Sequence, residues 1–492
     1  MNAVGIDIGT TGLKAVALGA RGEILREKTV RYPTRLAGLG AEQDARAWWR
    51  AAVEALPEVV GGEPVCGVSV TCQAPTLVCV DGDFEPLGPA LTWIDRRALR
   101  EAEEISAAIE PTRNPSDPYF ATGKLLWLAR NRPAQIENAR AVLCANGFLV
   151  ARLTGEPTLD ETTAGLFQGW DGGFDGALSS LVPLDLLPPV RPAMEVAGEV
   201  SRAAAEATGL PEGTPVAHGG IDAVGAALEA GIFGPGDGLV EMTGFSTVVI
   251  AAAERGTHVP GMIHTRHGVG ESDLILAAMT TAGAVTEWGM RLTGFENPAA
   301  FDGNVPEKTL ARGRPGRLLM VPALAGERTP TWDAEARGAI VGLDLDADAG
   351  DLAVAIYEGT ALGLGDNFGR MEAVLGDLRP VRSVGGGSKS EVWTQIKADV
   401  LRVPVTVPRL GHGAAAGAAV LAGMATGLWP DEVSVRALVA EEGRTFEPDP
   451  EMTGKYAKRL ELYRELQAML PPVTRALQTT EGRECGTDRG AG

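Results

Sequence analysis

Residues 4–16 read VGIDIGTTGLKAV, two short apolar runs around Asp7 and the small-residue turn Gly9-Thr10-Thr11-Gly12. Aliphatic runs on both sides of a glycine-bounded turn predict two strands joined as a hairpin. The next stretch, KAVALGARGEILREKTV, alternates and turns again at Ala20–Gly22, so residues 3–31 are expected to form a three-stranded meander. DARAWWRAAVEAL then takes up a helical period, with Asp44 placed to cap it. Trp48 and Trp49 are adjacent on that helix and cannot share a face, so one belongs in the core and the other nearer solvent. VCGVSVTCQAPTLVCV supplies a buried strand, a loop and another strand.

The same plan begins again at Gly238. GLVEMTGFSTVVIAAA is strand, turn, strand; LILAAMTTAGAVTEWGMRLTG is strand into helix; VRSVGGGSKSEVWTQIKADVLRVPVTVP is strand, glycine loop, helix, strand. A hairpin-first plan used twice predicts an α/β protein of two domains facing each other across a cleft, their glycine turns directed into it. Gly and Pro crowd together in FGPGDG, which puts the domain change near residue 236 and gives domains 1–236 and 237–477. TTEGRECGTDRGAG is polar and aperiodic, so 478–492 is expected to be a disordered tail. GAAAGAAVLAGMATGLW, from Gly413, carries no charge, but its small residues are too weakly apolar for a membrane span and suit a helix packed closely on a neighbour.

With 492 residues, 45% hydrophobic and 22% charged, the chain can build sizeable cores. A net charge of −20 argues against the cationic surface that nucleic acid or an anionic membrane requires, and small molecules or other proteins are the expected partners. Cys66, Cys72, Cys79, Cys144 and Cys485 form no CxxC pair and are odd in number, which points to buried thiols in a reducing compartment. Met1 leads straight into a strand without a signal sequence, so a cytoplasmic location is expected. His258, His264, His267 and His412 show no metal-ligand spacing.

A turn of Gly and Thr exposes successive backbone N–H groups and hydroxyls, a suitable cradle for phosphate oxygens. Asp7 beside it can hold Mg²⁺, usually through water, because that ion keeps several waters and takes one or two carboxylates. One such turn equally fits an ordinary hairpin, and no P-loop motif is present. Thr243–Ser246 (TGFS) and VGGGSKSEVW at 384–393 add a second and a third glycine turn, and the three together favour a nucleotide. In VAHGGIDAVGAALEAG, residues 216–231, Asp222 opens an apolar helix. It can serve as a helix cap or accept the proton of a substrate hydroxyl attacking a γ-phosphate.

Three longer stretches carry a resemblance. GAIVGLDLDADAGDLAVAIYE (Gly338–Glu358) and YFATGKLLWLARN (Tyr119–Asn131) are similar to the two signatures of the FGGY carbohydrate kinases, the second with Lys124 and Trp127 in place but Ala121 where Pro, Ser or Thr is usual. GERTPTWDAEARG is similar to a stretch of the xylulose kinases in that family. The resemblance spans about residues 3–470 and implies the actin-like, ribonuclease H-like ATPase fold, with ATP and Mg²⁺ used to phosphorylate a hydroxyl of a sugar or polyol. It implies Asp222 as general base and Asp7 beside the metal. Gly9, Thr10, Thr11 and Lys14 then belong to the first phosphate turn, and Thr243, Gly244 and Ser246 to the second. Gly283, Glu287, Gly386, Gly387 and Glu391 fall where relatives line adenine and ribose. Gln73, Ala74, Pro75, Trp93, Asp95 and Arg96, with Asp222, fall on the sugar side. A homodimer is compatible with the resemblance.

There are departures. Ala74-Pro75 stands where xylulose kinases carry Met-His, Ala223 and Ile94 stand at their asparagines, and Phe245 replaces a threonine of the second turn. Each lost polar partner in a buried pocket is worth about 1–3 kcal/mol, so the sugar is not expected to be fixed as xylulose. The same losses leave an alternative, an actin-like nucleotide-binding sensor or ATPase that phosphorylates no sugar.

Overall fold

A computed structural model describes residues 1–312, 314–408, 413–439 and 443–480. The chain forms two compact units: Met1–Val240, Ile250–Leu276 and Pro408–Glu442 make one, and Glu241–Val249, Ala277–Val407 and Gly443–Gly492 the other.

The first unit is built on the expected meander. Asn2–Ile8 and Gly12–Gly19 pair antiparallel with Asp7 opposite Lys14, and Ile24–Arg31 completes the three strands. Val65–Cys72 adds in parallel to Asn2–Ile8, Pro215–Ala217 adds in parallel beyond it, and Val196–Glu199 closes the edge antiparallel. The helix Ala45–Val60 starts where Asp44 accepts the Arg46 N–H and ends at the left-handed Gly61. Trp48 is buried in it and Trp49 is half-buried, as adjacency on a helix demands.

The charge-free stretch after Gly413 forms the buried helix Ala414–Ala425. It packs by backbone contact: a Cβ on Gly5 would lie 2.0 Å from the Ala415 carbonyl oxygen, and one on Gly417 would lie 1.8 Å from that of Gly225. Side chains at those positions would push the helix off both the first strand and the Asp222–Glu229 helix. Cys66, Cys72, Cys79 and Cys144 are free thiols. Among the described residues no helix is long and apolar enough to cross a membrane.

The second sheet has seven strands in the order Ile263–Arg266, Asp273–Met279, Thr247–Ala253, Leu239–Thr243, Val381–Val384, Val405–Val407, Arg444–Phe446. Setting aside its first strand, it repeats the first sheet: a meander, two further strands of which Val381–Val384 and Val405–Val407 pair parallel, and an antiparallel edge. The duplicated plan was therefore legible. In the second unit the helix Ala349–Leu375 begins in a capping box of Asp348 and Asp351. Its Tyr357 stacks on Trp393 at 4.8 Å and meets Phe301 edge-on, making the aromatic centre of that core. The helix Pro450–Thr480 extends through the first residues of the expected tail; residues 481–492, with Cys485, and His412 lie outside the described residues.

Candidate functional site

Two carboxylates are positioned by three neighbouring parallel strands. Asp7 on Asn2–Ile8 and Gly220 on Gly220–Ile221 both align with Thr71 of Val65–Cys72, and Asp222 follows immediately as the first residue of its helix. Gly219 permits this course: its φ is +78°, and a Cβ there would lie 2.0 Å from the Val70 carbonyl oxygen. Ile221 N–H is held by Thr162 Oγ1, itself tied to the buried Asp160, so the backbone before Asp222 is fixed from behind. Asp222 is not the N-cap of its helix; its Oδ1 accepts the N–H of Ala223 at 2.8 Å.

Burial and then the charge of Asp222 push the Asp7 carboxyl up to about 7, against the opposing pull of the Thr71 hydroxyl at 3.0 Å and of Lys14. A carboxyl raised by folding from 3.8 to about 7 makes the folded protein lose stability as pH climbs through that window. Asp7→Asn keeps an acceptor for Thr71 without the charge. It is therefore expected to raise the melting temperature of the ligand-free protein at about pH 8 and to leave it nearly unchanged at about pH 4, with an upper bound of about 4 kcal/mol at 1.36 kcal/mol per unit. Equal melting of variant and parent at the higher pH would count against this electrostatic pairing. The same pairing suits a divalent cation, which would remove the repulsion.

The first turn is pinned from one side. Tyr32 OH donates to the Gly9 carbonyl, Thr34 Oγ1 and Gln43 Nε2 both donate to that of Thr10 at 2.8 Å, and Trp93 Nε1 donates to Thr10 Oγ1 at 3.0 Å. Among the described residues no protein acceptor meets the Thr10 and Thr11 N–H groups, the arrangement an anion requires. Lys14 pairs with Glu27 at 2.9 Å.

Among the residues expected on the sugar side, Gln73 is buried, donates its amide nitrogen to Gln43 Oε1 at 2.7 Å, and has an Oε1 without a protein partner. Ala74 offers its carbonyl to Tyr119 OH at 2.9 Å, and it and Pro75 are buried. Asp95 is brought close but committed: its carboxylate takes Arg97 and the Ala41 N–H. Arg96 is held in a two-pronged pair by Asp117. Lys124, fully buried, donates to the carbonyls of Pro118 and Tyr119, and burial lowers its amine to about 7.

In the second unit three glycine stretches converge. Gly244 N–H closes the turn on Ser246 O at 2.8 Å, and Phe245 O receives the N–H groups of Ala282 and Ala284. A Cβ on Gly283 would lie 2.1 Å from Gly244 O; one on Gly385 would lie 2.6 Å from Thr243 O, and one on Gly387 2.5 Å from Thr243 Cγ2. Phe245 turns its ring outward at 43% exposure, leaving the turn to its backbone. Thr243 Oγ1 donates to Glu241, which also takes Ser383 Oγ at 2.6 Å and both oxygens' worth of Lys397 Nζ at 3.0 Å. Gly386 and Glu287 are exposed, and Glu391 is ion-paired with Arg444.

Thr71, Gln43, Glu241 and Lys397 were not picked out by motif. Lys397 had a signal: it lies on the face of EVWTQIKADVL marked by Trp393, Ile396 and Val400, where a cation needs a buried partner. A cavity of about 620 Å³ lies elsewhere in the first unit, and its Arg113 and Arg266 are already paired with Asp171 and Asp273.

Residues 2–229 match the N-terminal domain, and residues 242–426 the C-terminal domain, of the FGGY family of carbohydrate kinases. The chain belongs to that family. This kinase is 28% identical over 486 residues to the xylulose kinase of Escherichia coli, covering 96% of this chain and 99% of that one. It is 30% identical over 452 residues to the xylulose kinase of Streptomyces rubiginosus, covering 88% and 90%. Among solved structures, xylulose kinase from Rhodospirillum rubrum superposes with a TM-score of 0.83 at 27% identity, covering 96% of this chain and all of that one. Gluconate kinase from Lactobacillus acidophilus gives 0.84 at 23% over 95% and 97%, a likeness of fold. The kinase thus has the two-domain actin-like ATPase fold, and it transfers phosphate from ATP to a carbohydrate hydroxyl.

Proposed function

We propose that this kinase phosphorylates a ketose or polyol other than xylulose, with Asp222 as general base and Asp7 holding magnesium. The observation that carries the reading is the register that brings Asp7 and Asp222 to neighbouring strand ends, close enough for one charge to raise the proton affinity of the other. A carboxylate able to take a proton beside a second one suited to a cation is what hydroxyl-to-phosphate transfer needs. When bound, Mg-ATP supplies the phosphoryl group and the charge that quenches the carboxylate repulsion.

The chain's own residues do the rest. Asp222 orients the accepting hydroxyl and takes its proton as the oxygen attacks. Thr10 and Thr11 offer N–H groups to phosphate oxygens, and Lys14 lends positive charge beside Asp7. The Thr243-Gly244-Ser246 backbone makes a second such cradle, and Gly283, Gly386 and Gly387, flanked by Glu287 and Glu391, receive the nucleoside.

Substrate choice follows from what lines the sugar side. Ala74, Pro75 and Ala223 are buried and cannot pair a hydroxyl through their side chains, whereas Gln73 Oε1 lacks a donor. Trp93, Asp95 and Arg96 shape the remainder of that wall. A substrate with fewer hydroxyls on the Ala74-Pro75 side meets no unpaired group there, while one rich in hydroxyls loses about 1–3 kcal/mol for each it buries unpaired. The test is ADP release across a panel of ketoses and polyols, with products identified by mass. A three- to six-carbon substrate other than xylulose is expected to give the highest kcat/KM; xylulose as the best substrate would refute the specificity reading.

A further inference from the structure

Gln43 ends the strand Gly40–Gln43 and stands just ahead of the Asp44 cap. In the structure it is 2% exposed, and all four hydrogen-bonding positions of its amide are used. Nε2 donates to the Thr10 carbonyl at 2.8 Å and to Thr34 Oγ1 at 2.7 Å. Oε1 accepts from Trp48 Nε1 at 2.9 Å and from Gln73 Nε2 at 2.7 Å.

The chemistry of the partners decides which way this amide points. An indole N–H can only donate, so the Gln43 atom facing Trp48 is the oxygen. The atom facing the Thr10 carbonyl is then the nitrogen, as a carbonyl can only accept. Gln43 having turned its oxygen toward Gln73, Gln73 must answer with its nitrogen, and its own Oε1 is left as the acceptor without a protein partner. One buried indole thus sets two amides in sequence, and through them the carbonyl side of the GTTG turn.

We propose that Gln43 is a positioning residue for phosphoryl transfer, a buried amide hub that holds the Thr10 carbonyl inward so that the Thr10 and Thr11 N–H groups face outward, and fixes Gln73 with its acceptor oxygen available. The proposal rests on the kinase reading above for its catalytic consequence. Its geometric content concerns the ligand-free chain alone. Trp48 explains why a core tryptophan of the first helix bears on the turn, and Thr34 closes the ring by donating to the same Thr10 carbonyl at 2.8 Å.

The test is Gln43→Glu, which keeps the shape and both acceptor contacts, to Trp48 and Gln73, but removes both donors and sets a carboxylate oxygen against the Thr10 carbonyl. At about pH 8, kcat is expected to fall about 10- to 100-fold with KM for the sugar changed less than about threefold, the range of a lost buried hydrogen bond to a catalytic loop. As pH falls toward about 6 the buried carboxyl takes up a proton and regains one donor, so the ratio of variant to parent kcat is expected to rise. A merely structural role gives no such recovery. Hydrogen–deuterium exchange of the 8–13 segment in the ligand-free protein supplies an independent readout: faster exchange in Gln43→Glu at about pH 8 that slows toward parental rates near about pH 6. Gln43→Leu, lacking donor and acceptor, is expected to lose activity without pH recovery, and melting curves identify any variant that fails to fold.

Parental kcat and parental exchange in Gln43→Glu, or losses with no dependence on pH, overturn the hub. If the parent protein phosphorylates no carbohydrate, the kinase reading fails while the exchange experiment still decides whether Gln43 sets the turn.

Discussion

Replacing Asp222 with asparagine is expected to lower kcat by about 10² to 10⁴, the usual share of a general base, while the KM for sugar stays within about threefold. The substitution is nearly silent structurally. Asparagine Oδ1 can still accept the Ala223 N–H, the helix Asp222–Glu229 keeps its first residue, and the Thr162 bond to Ile221 is untouched. What disappears is the proposed acceptor of the hydroxyl proton and the charge that raises Asp7. The two losses separate by measurement. In Asp222→Asn the Asp7 carboxyl should titrate lower than in the parent, a shift readable by carbonyl-labelled NMR, so any acid limb of the residual activity should move to lower pH. A variant that keeps parental turnover removes Asp222 from the chemistry and returns it to the helix-terminus role.

The two readings of Asp222 illustrate what the sequence could carry. Its place at the start of an apolar helix was plain from the pattern, and a carboxylate at such a place is ambiguous between capping and chemistry. What bears on the ambiguity is register across strands far apart in the chain: Thr71 is the common neighbour of Asp7 and Gly220, a fact no local window contains. The meander, the Asp44 cap, the Trp48/Trp49 division and the small-residue helix after Gly413 were legible because each depends on residues within a turn or two of one another. The glycine turns were legible as turns, but their convergence on Thr243-Gly244 was not, since Gly385 and Gly387 meet Thr243, and Gly283 meets Gly244, only through tertiary packing.

Polar groups buried under the site were the least legible. Gln43 and Glu241 look like ordinary surface residues in the sequence, and base rates favour that reading for each; Lys397 alone of the three had the face of its helix to mark it. Asp95 shows the converse. The resemblance put it among sugar contacts, whereas its carboxylate is consumed by Arg97 and a backbone N–H, which makes it a brace for the wall that carries Trp93. Motifs name positions, and the hydrogen-bond inventory says which atoms there remain to be used.

Lys397→Met should produce the largest loss of stability. Lys397 and Glu241 are 2% and 1% exposed, and their side chains meet at 3.0 Å beneath the second turn, with Ser383 and Thr243 completing the carboxylate's partners. Methionine matches the length of the lysine stem but leaves Glu241 as a buried charge without its cation, a defect worth about 3–5 kcal/mol. At about 2–4 °C per kcal/mol the melting transition is expected to fall by roughly 10 °C. Function should suffer too, because Lys397 Nζ also reaches Thr243 Oγ1 at 3.2 Å and so helps seat the first residue of that turn. The deciding measurement is the double variant Lys397→Met with Glu241→Gln. With both charges gone no isolated ion remains, and neutral amide donors can still serve Thr243, so much of the lost stability should return. If the double variant melts no higher than Lys397→Met alone, then the lysine acts through packing over Trp393, 4.7 Å from its ammonium, and the ion pair is not what anchors the turn.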